Sequence, residues 1–254
     1  MPRVLFYDLE TAPNMAAVWR HYEANVVWYD HEWYLMAVAY KWEGDRAVKC
    51  LALPDYKGYT KRPEDDKALS RDLWNLMHEA DIVVAHNGDK FDMRKANARF
   101  LAHDFGPPAP SHSIDTLKVA RKHFAFNSNR LGDLGEHMGL GGKEPTGGYH
   151  LWRDCMRGDE KAWQRMKKYA KQDVNLLEQV YLKMRPWMKN HPSRNLLSGL
   201  MDACPVCGVE GSFIKRGTWQ SKTMTYQRVQ CTDCGSYSRS RLSDSSADKP
   251  KFIT

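Results

Sequence analysis

Residues 4–13 read VLFYDLETAP, a run of strand-forming residues that carries two acids, Asp8 and Glu10, separated by a single position. Successive side chains of an extended strand point to opposite faces, so both carboxylates project to the same side. Two like charges held together on a half-buried strand repel each other and lose hydration unless a cation or a shared proton compensates. Two readings follow, an edge strand with both acids in water or a strand that ends at a metal site, and the pair alone supports either.

The remaining pattern says what that strand belongs to. After a polar, aromatic-rich insertion (14–31), WYLMAVAYKW (33–42) and AVKCLALP (47–54) flank the turn EGDR and complete a three-strand meander. From Pro63, acids in the first turn precede Leu69, Leu73, Leu76, Met77 and Ala80 at helical spacing. DIVVAHN (81–87) reads as a buried strand and FDMRKANARFLAHDF (91–105) as a helix. SHSIDTL (111–117) reads as a strand running into a helical stretch, and RLGDLGEHMGL (130–140) as a short helix closed by Gly139. GLGGKEPTGG (139–148) is too glycine-rich to be regular, and it lacks the GxxxxGK[ST] and GxGxxG patterns of phosphate-cradling loops. A flexible segment near a substrate groove is expected there.

A long helix from about Asp159 to Met184 aligns Ala162, Met166, Tyr169, Asp173, Leu176, Leu177 and Val180, with Lys161, Arg165, Lys167, Lys168 and Lys171 on its exposed side. Pro186 and KNHPSRN (189–195) break the pattern. The expected organisation is an α/β domain over 1–187 with a mixed central sheet flanked by helices, a linker at 188–200, a small module at 201–242 and a loose Ser-rich tail at 243–254.

That small module holds four of the six cysteines. CPVCG (204–208) and CTDCG (231–235) are C-x2-C pairs separated by 23 residues, close to the spacing by which two turns present four thiolates to zinc. Disulfides are the alternative, disfavoured in a reducing compartment and between cysteines three apart in one turn. Cys204, Cys207, Cys231 and Cys234 are therefore expected to hold one structural Zn2+, while Cys50 and Cys155 read as small core residues. No apolar run approaches the roughly 18 residues of a bilayer span, and the N-terminus runs directly into a strand without a signal-like segment. A cytosolic chain with no membrane partner is expected. Its net charge of +7 suits a polyanionic partner.

The other well-placed acids bear on the opening pair. In AHNGDKFD (85–92) a buried strand gives way to a helix with Asp92 in its first turn, where capping is the common explanation. YAKQD puts Tyr169 and Asp173 four apart on one helix face, inside an apolar stripe where an Asp fits poorly. Asp8, Glu10, Asp92 and Asp173 together make the four carboxylates that two hard divalent cations require.

With D-x-E at Asp8–Glu10, N-x3-F-D at Asn87–Asp92 and Y-x3-D at Tyr169–Asp173 in this order, the chain over roughly 1–185 resembles the DEDD (DnaQ-like) exonuclease superfamily, and by its tyrosine the DEDDy branch. The resemblance implies an RNase H-like fold. It implies that Asp8, Glu10, Asp92 and Asp173 bind two Mg2+ or Mn2+ ions that clamp an in-line phosphoryl displacement, with Asp8 bridging. It implies that Tyr169 orients the attacking water, since an ordinary phenol is protonated at neutral pH. Thr11, Asn87 and Phe91 would support the site or the terminal nucleotide. Asp115, in the DT pair Asp115–Thr116, is equally explained as a helix cap.

The implied reaction is 3′-5′ hydrolysis of single-stranded or 3′-ended DNA or RNA to nucleoside 5′-monophosphates. Trp28, Tyr29, Trp33 and Tyr34 are candidates for base stacking or for core packing. In the four-cysteine module, Lys215, Arg216, Lys222, Arg228, Arg239 and Arg241 interleave with Phe213, Trp219, Tyr226 and Tyr237. That composition favours single-stranded nucleic acid, with a protein partner as the alternative. A compact exonuclease carrying a ribbon resembles bacterial or bacteriophage DNA-metabolism proteins. The rival readings are an RNase H-like metal-dependent endonuclease and a non-catalytic nucleic-acid-binding adaptor.

Overall fold

The computed structural model describes residues 1–22, 25–142 and 147–244. Arg3–Tyr181 makes one compact unit; Met1–Pro2 and the chain from Leu182 make a second.

The first unit begins with β1 (Val4–Thr11), β2 (Met15–Ala17), β3 (Trp28–His31), β4 (Leu35–Trp42) and β5 (Lys49–Ala52). There follow α1 (Lys67–Glu79), β6 (Ile82–Ala85), α2 (Asp92–Ala102), β7 (His112–Asp115) and α3 (Thr116–His123). The short α4 (Leu131–His137) and α5 (Tyr149–Met156) precede the 25-residue α6 (Glu160–Met184).

Five strands form the central sheet in the order β5-β4-β1-β6-β7. β1, β4 and β5 are antiparallel neighbours, whereas β6 and β7 run parallel to β1. This is the mixed sheet flanked by helices expected of an RNase H-like fold. β1 lies at its centre, and Val4, Leu5, Phe6, Tyr7 and Leu9 are all buried. The four buried residues of β6, IVVA, make the near-continuous apolar run of a strand covered on both faces. Leu69, Leu73 and Met77 bury one side of α1 at helical spacing. α6 is tied to the sheet by Phe6 and Tyr181, whose ring centroids lie 5.3 Å apart, and by Lys41 on β4, whose ammonium is 2.6 Å from Glu178.

In the first unit the structure adds to or departs from the sequence reading in three places. The insertion after β1, read only as polar and aromatic-rich, holds β2 and β3, which pair as a small antiparallel ribbon. On it Trp28 and Tyr29 are exposed, while Tyr34, beyond it, is buried. α5 forms immediately after the glycine-rich loop, burying Leu151 and Cys155; residues 143–146 of that loop lie outside the described residues. α1 starts at Lys67, later than the acids expected in its first turn, and Asp66 does not cap it. The fully buried Asp66 carboxylate instead accepts from the Leu35 amide at 2.8 Å and lies 2.6 Å from both the Arg99 guanidinium and His103 Nε2.

In the second unit, the segment read as a linker carries α7 (Arg194–Ser198), and Arg194 is buried. β8 (Phe213–Gln220), β9 (Thr225–Cys231) and β10 (Tyr237–Arg239) form an antiparallel sheet in the order β10-β9-β8. From residue 245 on, the tail lies outside the described residues.

Candidate active site

β1 pairs with β6 only over Val4–Phe6, because β6 ends at Ala85. Beyond that point β1 runs on as Asp8–Thr11 while the neighbouring chain turns away into α2. The Leu9 N–H, lying past the last of these pairings, donates to Asp92 Oδ1 at 3.0 Å. Asp92, the first residue of α2, is buried and its carboxylate accepts from its own backbone N–H as well as from Leu9, so it serves the helix start and a link with β1 together. One hydrogen bond thus joins the strand that carries Asp8 and Glu10 to the helix that carries Asp92.

The turn before α2 is built for close approach. Asn87 takes a left-handed conformation (φ 64°), and its N–H donates to Asp115 Oδ1 at 2.9 Å. A Cβ on Gly88 would lie 2.5 Å from the Ala85 Cβ, so only glycine lets the chain fold back here. Asp115 Oδ1 also accepts from the Leu117 and Lys118 amides, which makes it the cap of α3 and the anchor of this turn together. Asp89 is half-buried rather than free in water, paired with Lys118 at 2.6 Å and accepting from the Ser113 hydroxyl.

Glu10, Asp92 and Asp173 are each buried, and Asp8 is half-buried. Burial pushes the Asp92 carboxyl up to about 7, with the nearby Asp115 charge acting in the same direction against the Leu9 and Asp92 backbone N–H groups. The Tyr169 phenol on α6 is held well above its ordinary value, first by burial, then by the charges of Asp173 and Glu10, its hydrogen bond to Asp173, and Asp8. Tyr169 therefore sits in the field of three of the four carboxylates and is hydrogen-bonded to one of them. Tyr7 on β1 is raised in the same way by burial and then by Asp92, Asp89, Asp8 and Asp115.

Among the described residues, the one set of three or more His, Cys, Asp or Glu ligand atoms lying within 4.8 Å of one another is that of the four cysteines. Asp8, Glu10, Asp92 and Asp173 do not form a set of that spacing. Acids on opposite sides of two ions spaced about 3.5–4 Å apart need a wider spread than ligands of a single ion.

Two clefts flank this region. One, of about 370 Å³, is lined by Thr11, Asn14, Trp33, Lys95, Tyr149 and Trp152, and the Trp152 ring lies 6.3 Å from that of Tyr169. The other, of about 960 Å³, is lined by residues that include His86, Asn87, Lys90, Phe91, Arg121 and Asn129. Thr11 opens on the first cleft and Asn87 and Phe91 on the second. Sequence reasoning missed Lys95, whose ammonium lies 3.5 Å from the Trp33 ring centroid, and Trp152. Trp152 stands one position after the buried Leu151, and that local pattern could have marked α5.

In the second unit, Cys204 and Cys234 lie 3.8 Å apart and Cys207 and Cys231 3.7 Å apart, sulfur to sulfur. Both C-x2-C-G segments make the same turn. Gly208 N–H donates to the Cys204 carbonyl at 2.8 Å and Gly235 N–H to that of Cys231 at 3.0 Å, with both glycines at positive φ. Burial acts to raise the Cys231 thiol, but the Ser212 hydroxyl and the Cys234 and Asp233 N–H groups outweigh it and bring it down to about 7. Four thiols converging from two such turns fit a tetrahedral zinc ion.

Similarity to known proteins accords with this architecture. A search of curated proteins found no match. Among solved structures, the chain is similar to the family B DNA polymerase from the hyperthermophilic archaeon Pyrobaculum calidifontis, with a TM-score of 0.52 and 14% identity over 73% of this chain and 25% of the polymerase. The chain thus spans about a quarter of that polymerase's length, and the likeness is one of fold. Residues 29–185 match the family model of the RNase_H superfamily, and the chain belongs to that superfamily.

Proposed function

We propose that the chain is a divalent-metal-dependent 3′-5′ exonuclease of the DEDDy type, which shortens single-stranded nucleic acid from its 3′ end and releases nucleoside 5′-monophosphates. The observation that carries this reading is Tyr169: its hydroxyl is hydrogen-bonded to the buried Asp173 within the field of Glu10 and Asp8, while Asp92 is bonded to the same strand through Leu9. Superfamily membership and the fold likeness to a DNA polymerase support phosphodiester chemistry on nucleic acid.

Glu10, Asp92 and Asp173 are each withdrawn from water, and carboxylates are the donors that hard divalent cations take. Asp8, Glu10, Asp92 and Asp173 would hold two Mg2+ or Mn2+ ions, and when bound these would supply charge stabilisation for an in-line displacement at phosphorus. With its hydroxyl hydrogen-bonded to Asp173, the Tyr169 phenol is assigned the role of a hydrogen-bond donor that orients the reacting groups. Asp173 fixes the direction of that hydroxyl. Phe91, exposed at the N-terminus of α2, offers a ring face for the terminal base. The four cysteines would hold a zinc ion with a structural role, because four thiolates leave no open coordination position.

The test is a time course with Mg2+ or Mn2+ on single-stranded DNA and RNA labelled at the 5′ end, alongside Asp8→Ala. A descending ladder with early mononucleotide release, absent in the variant, is expected. Internal cuts in the first seconds would replace this reading with an endonuclease, and tight binding without cleavage would leave an adaptor.

A further inference from the structure

The charge of this chain is unevenly placed. Residues 1–181 hold 26 Lys and Arg against 26 Asp and Glu, whereas residues 182–254 hold 12 against 5. The whole net charge of +7 therefore resides in the second unit. That unit also contains a cleft of about 630 Å³, within the roughly 300–1,000 Å³ range of small-ligand sites. It runs between the segment after α6 and the face of the three-stranded sheet.

Three of its lining residues are exposed aromatics: Trp187 (61% exposed), Trp219 (43%) and Tyr237 (59%). Large rings exposed together on one surface mark a binding site more often than chance scatter. Basic groups stand among them. The Arg239 guanidinium lies 4.0 Å from the Tyr226 ring centroid and 5.1 Å from that of Trp219, and Trp219 and Tyr226 are themselves 5.7 Å apart. Arg228 also lines the cleft and is fixed by donating from Nε to the Arg216 carbonyl at 2.8 Å. Among the described residues that line it, none is acidic.

We infer that this cleft is a binding site for single-stranded nucleic acid, in which Trp187, Trp219 and Tyr237 stack bases and Arg228 and Arg239 take the phosphates. Stacking platforms interleaved with cations suit a strand whose bases are unpaired. An acidic peptide would match the charge but leave the flat ring faces without partners, and a duplex would hide its bases. The inference deepens the nuclease reading, on which it rests for its choice of ligand. It gives the second unit the task of gripping substrate independently of cleavage.

The experiment uses the full chain carrying Asp8→Ala, without added divalent ions, titrated into 5′-fluorescein-labelled oligo(dT) or oligo(rU) and read by fluorescence anisotropy. Tyr237→Ala and Trp219→Ala are each expected to weaken binding roughly 5- to 100-fold. Arg228→Ala should weaken it and lower the slope of log affinity against log salt by about 1. Tyr237→Phe, which keeps the ring, should bind like the parent. A zinc content of one per chain in each variant certifies the fold of the unit.

Unchanged affinity in zinc-replete Tyr237→Ala and Trp219→Ala overturns the proposal. So does equal loss of binding to poly-glutamate of matched charge, which would mark a general polyanion or protein surface. Hydrolysis of the p-nitrophenyl ester of thymidine 5′-monophosphate by chains with intact carboxylates separates the two readings. If the cleft binds as proposed, the Tyr237→Ala chain hydrolyses this ester at the parental rate while its KM for oligonucleotides rises. If the nuclease reading fails, the ester is untouched while the anisotropy result stands.

Discussion

At the scale of single residues, the same side-chain types meet opposite fates according to their partners. Asp66 and Asp92 are both buried, but Asp66 is matched by Arg99, His103 and the Leu35 amide, whereas Asp92 feels the like charge of Asp115. The first is a structural charge, and the second is the one the proposed mechanism uses as a cation ligand. Asp66→Ala should cost about 3 kcal/mol in urea unfolding, because it strands the Arg99 guanidinium, the His103 ring and the Leu35 amide at once. Asp173→Ala should abolish hydrolysis while leaving the unfolding midpoint nearly unchanged or higher, since it relieves repulsion. Tyr169→Phe, measured in single-turnover kinetics, should slow cleavage by roughly 10- to 100-fold, the loss expected when a positioning hydroxyl disappears and the carboxylates remain.

At the scale of elements, the site depends on where strands stop. β6 is only four residues long, and the turn at Gly88 that follows lets α2 start close enough for Asp92 to reach Leu9. Gly88→Ala should therefore destabilise the protein by about 2 kcal/mol, the range for overpacking, since the obstructing atom is the Cβ of Ala85 and not a flexible side-chain end. Its activity should fall further than its stability does, measured as Mg2+-dependent turnover beside the urea midpoint, because the turn carries Asp92. Loss of stability alone, with full turnover, would show that the turn does not position the site.

At the scale of the whole molecule, two units with separate cores should unfold separately. Cys204→Ser with Cys207→Ser, or a zinc chelator, should collapse the second unit while Arg3–Tyr181 keeps its own thermal transition. Calorimetry on the parent and the double variant tests this, and simultaneous loss of both transitions would refute the independence of the units. The first unit has no net charge and the second carries all of it, so the salt dependence of nucleic-acid binding should fall with the same variant.

Much of this was legible along the chain. The alternation of VLFYDLE placed Asp8 and Glu10 on one face, the spacing of Tyr169 and Asp173 put them on one helical side, and the two CxxCG segments specified a pair of identical glycine-closed turns. These are local periodicities and φ requirements, and a sequence states them directly. What the chain order did not state was which distant groups would meet. Asp92 looked like a helix cap alone until the fold brought Leu9 to it across 83 positions, and Asp66 looked like a first-turn acid until α2 supplied Arg99 and His103. Trp187 stands in a stretch read only as the end of the helix pattern at Pro186, with nothing to join it to the module, yet it shares a cleft with Trp219 and Tyr237. Local geometry is written in neighbouring residues, whereas the partner of a buried charge and the wall of a cleft are set by long-range packing, which only the folded chain decides.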